Sequence, residues 1–282
     1  MAKVSTEKGT DKFEAEVAGL RAIRATGCVR APEPFGLGKL PMGTGSFLLL
    51  EHLPCIPFGQ SIPSVLQGLA EGLAAMHLAP LPEGATEGFG FPRDTFLGPY
   101  QQDNSWEGDF ATFFASRRLA PQLRLAAKKF DTRYGTSNQD AMAFVSLGKK
   151  VMARAVEVLE PVRDSKPCLL HGDLWVGNCG AVPAEGRERQ PVVFDPACWW
   201  GHHEFDLALA TMFGGFGPPF YEVYHDMIPK ADGFDQRMRL YKLYHYLNHL
   251  NLHGAGFGYG GTVEQPQGYY ERTVTLMQDV AA

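Results

Sequence analysis

Apolar residues fall into two patterns along the chain. Long stretches repeat them every three to four positions, which predicts one-sided helices, and short unbroken runs predict buried strands. Up to about residue 55 the order is a short strand over "AKVS", a helix over "TDKFEAEVAGLRAI" with Phe13, Val17 and Leu20 on its apolar face, and a buried strand in "SFLLLEHL". Gly- and Pro-rich segments at 36–45 and 54–63 close this section, and "GLGKLPMGTGS" reads as a hairpin turn. Beyond it the pattern is mainly helical. "SVLQGLAEGLAAMHL" sets Val65, Leu69, Leu73 and Met76 at helical spacing, and "WEGDFATFFASRRLAPQLRLAAKKF" and "SNQDAMAFVSLGKKVMARAVEVL" predict further long helices. In "DQRMRLYKLYHYLNHLNL", Leu240, Leu243, Leu247 and Leu250 share one side. Two short strands, "PCLL" and "PVVFD" at 191–195, interrupt the helices, with "AVPAEGRERQ" expected as a loop between them.

Composition narrows the class. The 282 residues, 45% of them hydrophobic, suffice for one large domain or two small ones with an ordinary core. A net charge of −5 with scattered basic residues gives no electrostatic reason to expect a nucleic acid or an anionic membrane as partner. The 5 cysteines have no C-x-x-C spacing, which argues against a disulfide framework or a thiolate zinc site and for a reducing compartment. No apolar stretch approaches the ~20 residues of a membrane span, and no signal or transit segment is visible, so a cytoplasmic location is expected.

Candidate chemistry concentrates in "CLLHGDLWVGNCG". A strand ending at Leu170 releases His171, Asp173 and Asn178 into a loop, and a second strand ending at Phe194 presents Asp195 beside it. Asp and Asn are common turn formers, but the D-x-x-x-x-N spacing followed by a strand-terminal Asp is that of a kinase catalytic loop and its metal-binding aspartate. Phosphoryl transfer needs this set: one carboxylate to orient or deprotonate the attacking hydroxyl, and hard oxygen ligands for Mg2+.

"LLHGDLWVGN", "VVFDPACWWGHHEFDLALATMFGGF", "FYEVYH" and "RLYKLYHYLNHLNLHGAGF" resemble the fructosamine kinase family, relatives of aminoglycoside and choline kinases, over nearly the whole chain. The resemblance implies an α+β, protein-kinase-like two-lobe fold, with a partial N-lobe over 1–55 and a mainly helical C-lobe over 56–282. It implies ATP and Mg2+ as cofactors and phosphorylation of the 3-hydroxyl of a ketosamine, either as a small molecule or on a glycated lysine of a protein. Carried over, Asp173 is the catalytic base, with Asn178 and Asp195 as magnesium ligands.

Further candidates combine both kinds of reading. Glu16 lies on the apolar face of the first helix and needs a partner, for which Lys3 on the preceding strand matches the family's phosphate-holding Lys–Glu pair; Glu14 points to the solvent side. Glu51, His52 and Leu53 fall at the junction of the two sections, where kinase-like folds hold adenine through backbone groups. Asp206 is expected in the first turn of a helix, where the resembling kinases use an Asp to brace the catalytic loop. Family position places Trp199 and Trp200 near the sugar, and His203 is a substrate candidate rather than a metal ligand, because adjacent histidines point apart on a helix. Tyr241, His245 and Asn248 form a buried polar stripe whose members either satisfy one another or, as assigned for Asn248, face substrate. "TFLGPYQQDNSW" also resembles the family and is expected to join two helices, with Gln102 and Asn104 as turn formers.

One departure stands out. Only Met1 and Ala2 precede Lys3, so the strand, glycine-rich loop and strand that this kinase class sets before the lysine have no counterpart in the sequence. The N-lobe is therefore expected to be truncated. The alternatives to an active ketosamine kinase are an impaired kinase-fold binding protein and a kinase of another hydroxylated amine.

Overall fold

The computed structural model describes residues 1–7, 9–41, 44–57, 63–82, 88–130, 137–184, 186–254 and 268–282. The strands and helices in chain order are β1 (Ala2–Ser5), α1 (Asp11–Thr26), β2 (Pro34–Lys39), β3 (Ser46–Leu50), β4 (Ile56–Pro57), α2 (Pro63–Leu78), β5 (Thr95–Leu97), β6 (Tyr100–Gln102), α3 (Phe110–Phe113), α4 (Ala120–Lys129) and α5 (Asn138–Leu159). They continue as β7 (Cys168–Leu170), β8 (Cys179–Ala184), β9 (Arg187–Val193), β10 (Trp199–Gly201), α6 (Glu204–Ala210), α7 (Gly217–Met227), α8 (Phe234–His253) and α9 (Tyr269–Ala281). No helix among the described residues is long and apolar enough to cross a membrane. Contacts divide the chain into two units, the first comprising Met1–Thr86, Phe91–Ser105 and Pro167–Lys230, the second Glu87–Gly90, Trp106–Lys166 and Ala231–Ala282. The expected boundary at residue 55 lies inside the first unit.

In the first unit, β3 is the middle strand of an antiparallel sheet in the order β1-β3-β2. Its side chains alternate: Ser46, Leu48 and Leu50 are buried and Leu49 is exposed. Lys3 pairs with Leu48 across the sheet. The helix α1 buries Phe13, Val17, Leu20 and Ile23, and ends at Gly27, whose φ of 67° lets its N–H turn back onto Arg24 O at 3.1 Å. Full burial of Leu20 and Ile23 contributes about 1.5–3 kcal/mol each. On the same helix a Cβ on Gly19 would stand only 3.1 Å from Pro196 and 3.2 Å from Cys198, so α1 runs close against the segment that follows Asp195.

Three expectations are corrected in this unit. The stretch "AVPAEGRERQ" is not a loop: it supplies most of the β8–β9 hairpin, in which Ala181 pairs with Pro191 and Val182 with Gln190. Its Pro, Gly and charged residues read as turn formers, while the two strands are held by their shared backbone ladder. The hairpin expected over 36–46 is present, but Gly36–Lys39 belong to its first strand rather than to its turn, paired with β3 from Leu49 to Ser46. The segment 95–106 is a β-hairpin, β5 against β6, not a plain helix connection. Gln102 and Asn104 are buried there: Gln102 accepts from Thr95 Oγ1 at 3.1 Å, and Asn104 donates to the same oxygen at 2.9 Å.

The second unit is helical. Ser137 caps α5 in a capping box with Asp140, and α8 buries Leu240, Leu243, Leu247 and Leu250 completely. The predicted long helix before α5 is interrupted by a π-helical segment over Phe114–Leu119, where Ala120 N reaches back to Ala115 O. Pro121 follows at once and has no N–H to continue the ordinary ladder, which accounts for the widened turn. Phe114 packs edge-on against Tyr241, with ring centroids 5.2 Å apart.

Candidate active site

Two buried strands deliver the catalytic-loop residues. Antiparallel β7 and β10 pair Leu170 with Trp199 and Leu169 with Trp200, so the loop after Leu170 and the segment before Trp199 leave the same end. His171 and Ala197 link them through Ala197 N to His171 O at 2.9 Å. Gly172 has φ 80°, and a Cβ there would lie 2.1 Å from Ala197 O. Only glycine fits this close, left-handed turn.

Asp206, in the first turn of α6, braces the loop rather than capping its own helix. Its Oδ2 accepts from His171 N at 2.7 Å and its Oδ1 from Gly172 N at 2.9 Å. Burial works against its charge, but the His77 hydrogen bond, the His77 and His171 rings and Gly172 N–H together hold its carboxyl below the ordinary range. Burial lowers the His171 pKa against the pull of Asp206; its Nε2 faces Phe194 O at 3.1 Å and its Nδ1 accepts from Asp173 N at 3.3 Å.

The loop then presents Asp173. Asn178 folds back on it, Nδ2 donating at 2.9 Å both to Asp173 O and to Asp173 Oδ2. Burial, with a smaller push from the charges of Asp195 and Asp206, outweighs the Asn178 hydrogen bond and raises the Asp173 pKa to about 7. Asp195 follows β9 with φ 56°, outside the usual range for a non-glycine residue, and its side chain is exposed. Lys3 Nζ contacts the carboxylate of Asp195 and lies 2.6 Å from Glu16 Oε1. Burial opposes the ammonium charge, but these two carboxylates dominate and raise its pKa.

This chemistry fits a magnesium–nucleotide. With Asn178 Nδ2 spent on Asp173, its amide oxygen is the group left to meet a cation, and Asp195 adds an exposed carboxylate; both are the hard oxygen donors Mg2+ prefers.

A family model described as fructosamine kinase matches residues 1–265. The chain belongs to the fructosamine kinase family, and it is a kinase. It is 39% identical to the Arabidopsis thaliana protein-ribulosamine 3-kinase, chloroplastic, over 90% of this chain and 71% of the relative. With the Mus musculus ketosamine-3-kinase it shares 37% identity over 87% of this chain and 79% of the relative. The crystal structure of a candidate fructosamine-3-kinase from Haemophilus somnus superposes with a TM-score of 0.78 at 27% identity, covering 99% of this chain and 82% of that one. An aminoglycoside phosphotransferase, at TM-score 0.62 and 14% identity, shares the kinase-like fold.

Other predicted residues of this fructosamine kinase-family chain are placed as follows. Glu51 pairs through its carboxylate with Arg30 and accepts from Glu33 N at 3.1 Å, while its own N–H bonds Glu33 O at 2.8 Å. Leu53 O is taken by Cys55 N at 2.8 Å. Among the described residues, His52 makes no backbone–backbone hydrogen bond. Trp199 is fully buried, edge-on to Phe205 at 4.9 Å and against Gly172, so it backs the loop; Trp200 retains 7% exposure. Asn248 lies in the second unit, where its Oδ1 accepts from Gln122 Nε2 at 3.2 Å. Glu14 is paired rather than simply solvated, with Arg93 at 2.6 Å.

The histidine pair requires a correction. His202 and His203 precede α6, where helical spacing does not apply, and their rings approach to 4.6 Å between centroids instead of diverging. With Glu204 they bring potential ligand atoms within 4.8 Å of one another. Sequence reasoning also passed over His77 and Tyr224. Both read as ordinary helix-core residues, and nothing local signals that they meet.

Proposed function

We propose that this kinase uses ATP to phosphorylate the 3-hydroxyl of ketosamines, sugar adducts of amines including glycated lysine. The observation that carries it is the Asp173 carboxylate, poised at about 7 and oriented by Asn178, on a loop whose relatives are named for ketosamine and ribulosamine phosphorylation. A base with a pKa near the working pH accepts a proton efficiently. Asp173 takes the hydroxyl proton as the sugar oxygen bonds the γ-phosphorus and the bond from that phosphorus to ADP breaks. Asn178 and Asp195 would hold Mg2+, which supplies charge neutralisation at the phosphates. Lys3, oriented by Glu16, takes phosphate oxygens; the backbone of Glu51, His52 and Leu53 takes the adenine. Trp200 and His203 line the sugar side with Trp199 behind them.

The test is an assay of the purified protein with ATP, Mg2+ and a panel of ribulosamines and fructosamines, free and on glycated protein, beside choline and an aminoglycoside. Phosphate appearing on the sugar O-3 by NMR is expected. Turnover confined to choline or the aminoglycoside would overturn the substrate assignment.

A further inference from the structure

Asp206 does not hold the catalytic loop alone. Its Oδ2 faces Nε2 of His77, on α2, at 3.3 Å, and Nδ1 of the same imidazole lies 2.7 Å from the Tyr224 hydroxyl on α7. That hydroxyl also meets Nδ1 of His203 at 3.1 Å, with the two rings stacked at 29°. His77, Tyr224 and Asp206 are 6%, 0% and 1% exposed, so a partner lost here is not replaced by bulk water.

The direction of the chain follows from its ends. Asp206 already accepts two backbone N–H groups and is held ionised, so it can only accept from His77, and the His77 proton sits on Nε2. In the tautomer protonated at Nε2 alone, Nδ1 is left as an acceptor. Tyr224 fills it: burial first, then the neighbouring Cys168, Asp206 and Glu204, push its phenol well above the ordinary value, so the hydroxyl keeps its proton to donate. The same oxygen accepts from His203 Nδ1–H. With His77 in that tautomer every bond is satisfied: His203 to Tyr224, Tyr224 to His77, His77 to Asp206, and the N–H groups of His171 and Gly172 to Asp206.

We propose that His77 and Tyr224 are positioning residues for phosphoryl transfer, tying the contact made by His203 at the sugar to the Asp206 brace beneath Asp173. The proposal rests on the reading of Asp173 as base and His203 as substrate residue. It makes the two ends separable, because His77 touches the brace and Tyr224 touches His203.

Steady-state kinetics with ATP and a ketosamine on three variants, and 15N imidazole spectra of the unaltered protein, test it. The amide of His77→Gln reaches the Nε2 position and still donates to Asp206, so kcat stays within about 3-fold; His77→Asn reaches only the Nδ1 position and loses kcat by ~10-fold, with ketosamine KM unchanged in both. Tyr224→Phe frees His203 and raises ketosamine KM by ~3- to 10-fold, with a smaller loss of kcat. Equal kcat in the Gln and Asn variants, or wild-type KM and kcat in Tyr224→Phe, would overturn the proposal. The spectra need no substrate and no variant that folds. They should show Nε2–H at His77 and Nδ1–H at His203, and an Nδ1–H tautomer at His77 overturns the chain. A protein inactive on ketosamines would count against the substrate reading alone, with the spectra still deciding the chain.

Discussion

Asn178 Nδ2 donates to Asp173 Oδ2 at 2.9 Å, five positions back along the chain. The short 3-10 turn Val176–Asn178 closes this gap, with Asn178 N on Trp175 O at 2.9 Å, so the carboxamide is pinned before it reaches the carboxylate. One oxygen of Asp173 is thus fixed, and the acid is aimed rather than free to rotate. Asp173→Asn keeps this shape and removes only the basicity. It should lower turnover by ~10²-fold or more while nucleotide binding and thermal stability stay near wild type. Turnover close to wild type would remove Asp173 from the proton transfer.

The raised pKa of Asp173 gives a signed pH dependence. A base must be ionised to act, so activity should rise with pH, and in the nucleotide-free protein the carboxyl should titrate at about 7. Burial is the largest cause and the charge of Asp195 adds to it, so Asp195→Asn should move the titration to lower pH. Carboxyl-carbon NMR on protein labelled at Asp reads both. An Asp173 that titrates near 4 in the unaltered protein would contradict the buried environment described.

Lys3 and a metal ion compete for Asp195. Without nucleotide the ammonium rests on that carboxylate, so Mg2+ alone should bind weakly and tighten when nucleotide draws Lys3 to its phosphates. Lys3→Met should therefore strengthen Mg2+ binding to the nucleotide-free protein by ~2- to 5-fold, a small gain because the pair is partly exposed and solvent screens it. The same variant should weaken ATP binding. Calorimetry that finds weaker Mg2+ binding in Lys3→Met would reverse the assignment.

What the sequence showed and hid follows from range. The contact of Lys3 with Glu16 was legible because Phe13, Val17 and Leu20 fix which side of α1 is buried, and Glu16 shares it. The loop of Asp173 and Asn178 was legible because its geometry is set within a few residues of a strand end. The β8–β9 and β5–β6 hairpins were not, being short or polar enough to lack a period-two pattern. His77 and Tyr224 lie 147 residues apart and meet only through packing of α2 on α7, which no local pattern encodes. The histidine pair misled because its helix begins at Glu204, two residues later than a helical reading of both rings requires.

The turn at Gly172 is the tightest constraint on the loop and gives the last prediction. Two costs meet there. A side chain at φ 80° is disfavoured by about 1–2 kcal/mol in itself, and a Cβ 2.1 Å from Ala197 O cannot be accommodated without moving backbone. That backbone is held on both sides, by Asp206 on Gly172 N and by Ala197 N on His171 O, so relief has to come from displacing the loop that carries Asp173. Gly172→Ala should therefore cost about 3 kcal/mol or more of stability and depress turnover well beyond the share that remains unfolded. Gly186 provides the comparison. It has φ 66° in the β8–β9 turn but nothing within 4 Å of its Cβ position, so Gly186→Ala should cost only about 1 kcal/mol and leave turnover unchanged. Denaturant unfolding and kcat measured on both variants decide the point. Equal losses in the two would mean that the backbone angle, and not the approach to Ala197, is what requires glycine at 172.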